Sequence, residues 1–123
     1  QDVKIDVNIS AYISDSYIQS EIQRIEMYQK ISNIKNKEEM LEVIDELLDR
    51  YGDIPRETEN LIKIVEIRND ARKLGITRIK ADDEFVTFEP GNVKIRLTNK
   101  NSNDILINVQ LEIENLKKIM KEG

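Results

Sequence analysis

The chain has 123 residues, 24 of them acidic and 19 basic, a formal net charge of −5, and no cysteine, histidine or tryptophan. One ordinary domain with a single core fits that length. The missing side chains exclude disulfides, thiol nucleophiles, imidazole bases and zinc sites built from sulfur or imidazole, and the acidic balance argues against a dedicated nucleic-acid binder.

Carboxylate-only metal sites and acid/base pairs survive this test. Isoleucine fills 20 positions, but they are dispersed, and no run approaches the ~20 apolar residues that span a bilayer. No charged-then-apolar start resembles a signal peptide. The expectation is a cytoplasmic protein with no membrane partner. A start on Gln1 suits a piece excised from a larger multidomain protein, with 1–123 as one domain.

Val3, Ile5, Val7 and Ile9 alternate with Lys4, Asp6 and Asn8, which predicts a half-buried strand. Ala11 to Ile18 breaks the alternation and reads as a connector pinned by Tyr12 and Tyr17, with their hydroxyls at the surface. Ser20 and Gln23 have capping-box spacing, so a helix begins there, with Ile22, Ile25, Tyr28 and Ile31 as its buried stripe. Asn36 and Glu39 repeat the start signal. The apolar face of that second helix is Met40, Leu41, Val43, Ile44, Leu47 and Leu48, and Gly52 stands where a left-handed C-cap residue would end it.

Pro55 restarts the chain at a first-turn position, where a missing N–H costs nothing. A third helix runs to about Leu74 and stops at Gly75. It should pair antiparallel with the second across their short link. Four short strands are then expected, Ile76–Lys80, Glu84–Glu89, Val93–Leu97 and Ile105–Val109. They are separated by Asp82-Asp83, Pro90-Gly91-Asn92 and the polar stretch Asn99–Asp104. A closing helix is expected from about Leu111 to Lys121. The fold class is α+β: an N-terminal strand, a three-helix segment with an antiparallel helix pair, a small antiparallel sheet and a C-terminal helix.

No glycine-rich phosphate loop or nucleophile motif is present. The densest carboxylate cluster, Asp82-Asp83-Glu84, lacks the glycine and the distant ligand of a calcium or magnesium loop and reads as a solvated turn. No metal or cofactor site is predicted. On the second helix Glu42, Asp45, Glu46 and Asp49 follow i, i+3, i+4, i+7 and form an acidic stripe. It is either a plain solvated face or a docking surface for a partner's arginines, since the only basic residue near it in sequence is Arg50. A basic group, Arg68, Arg72, Arg78 and Lys80, offers an alternative function as a DNA-phosphate patch. Attraction to the helix C-terminus accounts for Arg72, and for Lys73 beside it, without any ligand.

Three strings carry more than periodicity. Ala11-Tyr12-Ile13-Ser14-Asp15-Ser16-Tyr17-Ile18, followed by Arg24-Ile25 and Tyr28-Gln29-Lys30, resembles the opening of the C-terminal domain of bacterial transcription-repair coupling factors. Ile44-Asp45-Glu46-Leu47-Leu48-Asp49-Arg50-Tyr51-Gly52-Asp53-Ile54-Pro55 resembles the family's most recognisable stretch. Asn60-Leu61-Ile62, Ala71 and Leu74-Gly75-Ile76 continue it in register. The resemblance covers roughly residues 3 to 80. Ser14 departs from it, standing where the family usually has proline, and beyond Glu89 the match fades.

The resemblance implies a regulatory, non-enzymatic module of nucleotide excision repair. The full-length family is a DNA-translocating ATPase that displaces stalled RNA polymerase, and its motor and polymerase-binding domain lie outside this chain. In the family, the C-terminal domain folds back on the N-terminal module of the same chain and masks the surface that engages the excision-repair A protein. It would thus meet that protein, RNA polymerase and DNA only indirectly. Glu46 and Asp49 are the positions carried over as contacts to arginines of that module, within the stripe Glu42, Asp45, Glu46, Asp49 and Arg50.

Overall fold

The computed structural model describes residues 2–97 and 104–122. Its elements in chain order are β1 (Lys4–Asp6), α1 (Glu21–Ser32), α2 (Lys37–Tyr51), α3 (Arg56–Lys73), β2 (Arg78–Ala81), β3 (Phe85–Glu89), β4 (Val93–Arg96) and α4 (Ile105–Glu122). The architecture is α+β, with four helices and a four-stranded mixed sheet. The chain divides into two compact units: one takes the N-terminal segment to Ile9 and everything from Ile67 onward, the other Ser10–Glu66.

In the helical unit the start signals act as their spacing predicts. Ser20 Oγ accepts from the Gln23 amide at 3.2 Å, and Asn36 Oδ1 accepts from the Glu39 amide at 2.8 Å. The reciprocal half at α2 is shifted by one residue, since Glu39 Oε1 accepts from the Lys35 amide. Pro55 sits just ahead of α3, and its carbonyl accepts the first helical bonds from Thr58 and Glu59. The core of this unit joins Ile13 and Ile18 of the connector to Met27 and Ile31 of α1, Val43 and Leu47 of α2, and Ile62 and Val65 of α3.

The expected stripe of α1 is corrected here. Ile31 is buried, but Ile22 is 70% and Ile25 52% exposed, and Met27 takes the inner position. Apolar residues at 22, 25, 27, 28 and 31 surround much of this helix, so two stripes were open to it, and the packing of the connector and the other helices selects Met27 and Ile31.

In the sheet unit the strand order is β1-β2-β3-β4. β1 lies parallel to β2, with Ile5 opposite Ile79, while β2–β3 and β3–β4 are antiparallel. Alternation recorded that Lys4–Asp6 is extended but not which strand it joins. The register puts Ile5, Ile79, Val86, Phe88 and Ile95 on one face of the sheet. Of these Ile79, Val86 and Phe88 are buried, as are Leu106, Val109 and Ile113 of α4.

The strand expected over Ile105–Val109 is the first turn and a half of α4. Asp104 Oδ1 accepts from the Leu106 amide at 2.9 Å and caps it, and the buried residues recur at helical spacing. Of the polar stretch expected before it, Asn99 to Asn103 lie outside the described residues. Asp82 closes the β2–β3 turn, its Oδ1 accepting from the Glu84 and Phe85 amides, both at 2.8 Å. The acidic cluster is therefore built as an Asx turn. No group of acidic side chains that could hold a metal occurs among the described residues.

Candidate functional site

The two sides of α2 are sharply different. Val43 and Leu47 point into the core. The opposite side presents Glu42, Asp45 and Asp49, all exposed, next to Leu41 and Leu48, which are 51% and 46% exposed. Among the described residues these three carboxylates have no hydrogen bond or ion pair. Some two and a half turns of helix thus offer a negative strip edged by two leucines, a pattern that suits an amphipathic basic partner surface.

Glu46 stands apart from that strip, at the seam with α1. Lys30 Nζ of α1 reaches both its carboxylate oxygens, at 2.9 and 2.8 Å, and Arg50 donates to Oε2 at 2.9 Å. The hydrogen bond from Lys30, joined by that from Arg50 and opposed by partial burial, holds the Glu46 carboxyl below the usual carboxylate range. Two of the five stripe residues, Glu46 and Arg50, are thus already engaged with one another and with α1.

Because the folded carboxyl gives up its proton more readily than the unfolded one, its contribution is complete at neutral pH. It fades as the pH falls through and below the ordinary glutamate value near ~4.3. A double-mutant cycle with Lys30→Met and Glu46→Gln, followed by chemical denaturation, should give a coupling of ~0.2–1 kcal/mol at pH 7 that declines steadily as the solution is acidified below the ordinary glutamate range. A coupling that does not decline with acid would contradict the assignment.

The C-terminal end of α2 is tied to the connector by tyrosines. Tyr17 and Tyr51 meet edge to face with centroids 5.9 Å apart, and the Tyr17 hydroxyl donates to the Gly52 carbonyl at 3.0 Å and the Leu47 carbonyl at 3.3 Å. The Tyr17 hydroxyl thus ties the connector to the last turn of α2 and to the residue that follows it. Its pKa is raised by burial and by the nearby Asp53 and Tyr51. The Ile13 amide donates to the Tyr28 hydroxyl at 2.7 Å, Thr58 Oγ1 donates to the Tyr12 carbonyl at 3.1 Å, and Asn60 Nδ2 to the Ser10 carbonyl at 3.0 Å. Tyr12 itself is 47% exposed.

These ties join the strings Ala11–Ile18 and Ile44–Pro55 in space, and comparisons with known proteins agree with them. The profile of the TRCF domain family matches residues 7–104. The chain belongs to the TRCF domain family. Its likeness runs past Lys80 to the end of the sheet.

A transcription-repair-coupling factor from Staphylococcus haemolyticus (strain JCSC1435) is 39% identical over 79 residues, which is 64% of this chain and 7% of that protein. One from Staphylococcus aureus (strain USA300) is 36% identical over 85 residues, 69% of this chain and 7% of that protein. The TRCF domain thus spans about 7% of the length of the curated relatives it matches. A crystal structure of the C-terminal domain of transcription-repair coupling factor superposes with a TM-score of 0.80 at 22% identity, covering 99% of this chain and 96% of that one. That likeness is one of fold.

Within this TRCF domain, Ser14 braces the connector with hydrogen bonds. Its Oγ accepts from the Tyr17 amide at 3.2 Å, and its carbonyl accepts from the Tyr17 and Ile18 amides. Arg24 reinforces the connector by donating to the Ile18 carbonyl at 2.7 Å and the Gln19 carbonyl at 3.0 Å.

The four basic residues singled out in the sequence do not share one environment. Arg68 is half-buried, with its Nε atom enclosed and without a hydrogen-bond partner among the described residues. Arg72 donates to Asn69 Oδ1 at 3.2 Å. Arg78 and Lys80 lie on β2, and Arg78 pairs with Asp6 of β1 at 2.7 Å. Lys94, Arg96 and Phe85, which the linear pattern left unassigned, come beside them through the strand register.

Proposed function

We propose that this domain is a non-catalytic regulatory module that docks on the N-terminal module of its own parent chain and masks the surface that would engage the excision-repair A protein. The parent would act in the bacterial cytoplasm, in transcription-coupled nucleotide excision repair. The observation that supports this reading best is the exposed face of α2, where Glu42, Asp45 and Asp49 have no partners among the described residues and Leu41 and Leu48 lie open beside them. Membership of the TRCF domain family, and relatives many times longer than this chain, supply the larger context.

The contacts would be arginine–carboxylate pairs around a small apolar centre. Glu46, held by Lys30 and Arg50, would shape the face rather than carry the docking itself. Each exposed pair contributes ~0.2–1 kcal/mol, so the clamp is a sum of weak contacts, loosened by salt and releasable when the motor rearranges.

The test is made in the full-length parent. Replacing Glu42, Asp45 and Asp49 together by lysine should raise affinity for the excision-repair A protein by roughly 3- to 100-fold, from three such pairs. Unchanged affinity would remove this face from the proposal.

A further inference from the structure

The outward face of the sheet has a composition unlike the rest of the chain. The register aligns Lys4 with Arg78, Lys80 with Thr87, Thr87 with Lys94 and Phe85 with Arg96, all on the side opposite the apolar positions. Five cations therefore share this face in a molecule whose net charge is −5. Asp6 neutralises Arg78 at 2.7 Å, and Glu89 lies across from Arg78. Lys80, Lys94 and Arg96 are exposed and bonded to no carboxylate among the described residues, although Asp6 stands opposite Lys80 in the strand register.

At the centre stands Phe85, half-buried, with Lys94 Nζ 4.2 Å and the Arg96 guanidinium carbon 4.9 Å from its ring centroid. Arg78, Lys80, Phe85, Thr87 and Lys94 line one depression of about 500 Å³, with Asp6 and Asp82 at its β1 and turn edges. Arg78 also lines a second of about 500 Å³ with Lys4, Arg72, Asp2 and Glu89, so the excess of positive charge lies toward Lys80, Lys94 and Arg96. A cationic track thus runs over the sheet with one aromatic ring in it.

Cations at matched positions on successive strands repel unless anions lie among them, and like charges facing each other across strands are unfavourable. Strand spacing places β2 and β4 ~10 Å apart, with Phe85 on β3 between them. A strand of nucleotides laid across the face could stack a base on Phe85 and set its phosphates against Lys80 on one side and Lys94 and Arg96 on the other. A duplex keeps its bases stacked internally and has no use for the ring. An acidic peptide would meet the cations and use Phe85 only as the ring on which Lys94 and Arg96 lie.

We propose that the outward face of the four-stranded sheet binds single-stranded nucleic acid, with Phe85 as the stacking platform and Lys80, Lys94 and Arg96 as the phosphate contacts. This is separate from docking through α2 and stands or falls independently.

The test is fluorescence anisotropy of the 123-residue chain with a labelled oligothymidylate of about twelve nucleotides, within the usual site size of such surfaces. A duplex of equal length and polyglutamate are the competitors. Binding is expected at low salt, with log K falling by ~0.7 per phosphate contact against log salt. Phe85→Leu should weaken binding about 5- to 100-fold and leave the salt slope unchanged. Lys94→Gln with Arg96→Gln should lower the slope by ~1.4.

Absence of binding at low salt would overturn the proposal. So would a duplex that competes as well as the single strand while Phe85→Leu binds normally, which would indicate simple phosphate attraction. Polyglutamate competing equally under that condition would point instead to an acidic protein partner and overturn it too. Circular dichroism checks each variant, and the glutamine pair, on exposed side chains, decides the matter if Phe85→Leu does not fold.

Discussion

Leu47→Ala is expected to destabilise the helical unit by ~2–5 kcal/mol, the range for truncating a fully enclosed leucine. Leu47 has no exposed surface and lies in the cluster formed by α1, α2, α3 and the connector. Its own carbonyl also accepts from Tyr17. The truncation removes buried methyl groups and leaves a cavity that walls from four segments would have to move to fill. Leu48, one residue on, is 46% exposed, and its replacement by alanine should change stability by less than ~1 kcal/mol. Urea denaturation followed by far-ultraviolet circular dichroism compares the two. Equal losses would mean that the inner and outer faces of α2 are wrongly assigned.

The second large effect is expected at Gly52. The residue has φ +86° and ψ −160°, a region essentially restricted to glycine, rather than the left-handed helical conformation its C-cap position suggests. A Cβ built there meets nothing within 4 Å, so the cost of substitution lies in the backbone and not in a clash. Gly52→Ala should therefore lose ~1–3 kcal/mol. Gly52→Asn should lose a similar amount, whereas a left-handed cap would tolerate asparagine well. The loss bears on the site because the Gly52 carbonyl receives the Tyr17 hydroxyl and the chain turns there from α2 toward α3. Thermal melts of the two variants settle the matter, and an asparagine variant of native stability would contradict it.

Local chemistry made much of the fold legible. Ser20 and Asn36 announce α1 and α2 because a side-chain oxygen satisfies an amide a fixed three positions on. Asp82 and the Pro90-Gly91-Asn92 segment mark the turns around β3, since their conformations and side-chain bonds are local. The acidic strip of α2 was legible for the same reason: i, i+3 and i+4 spacing fixes which side chains share a face. The short segment Ile105–Val109 was not, because its four apolar residues suit a buried strand and a helix equally, and Asp104 decides between them as a cap.

The charge that first excluded chemistries was distributed by the tertiary structure. Composition and periodicity determined that the chain is α+β, that it lacks thiol and imidazole chemistry, and that carboxylates gather on α2. Only the fold decided that Lys30, sixteen residues away in sequence, closes on Glu46 and leaves Glu42, Asp45 and Asp49 as the open part of the strip. Only strand register brought Lys4, Arg78, Lys80, Lys94 and Arg96 to one face of an acidic protein. The physical reason is range: helix faces and caps follow from a few bonds along the chain, whereas ion pairs between helices and neighbours across a sheet depend on which distant segments the core draws together.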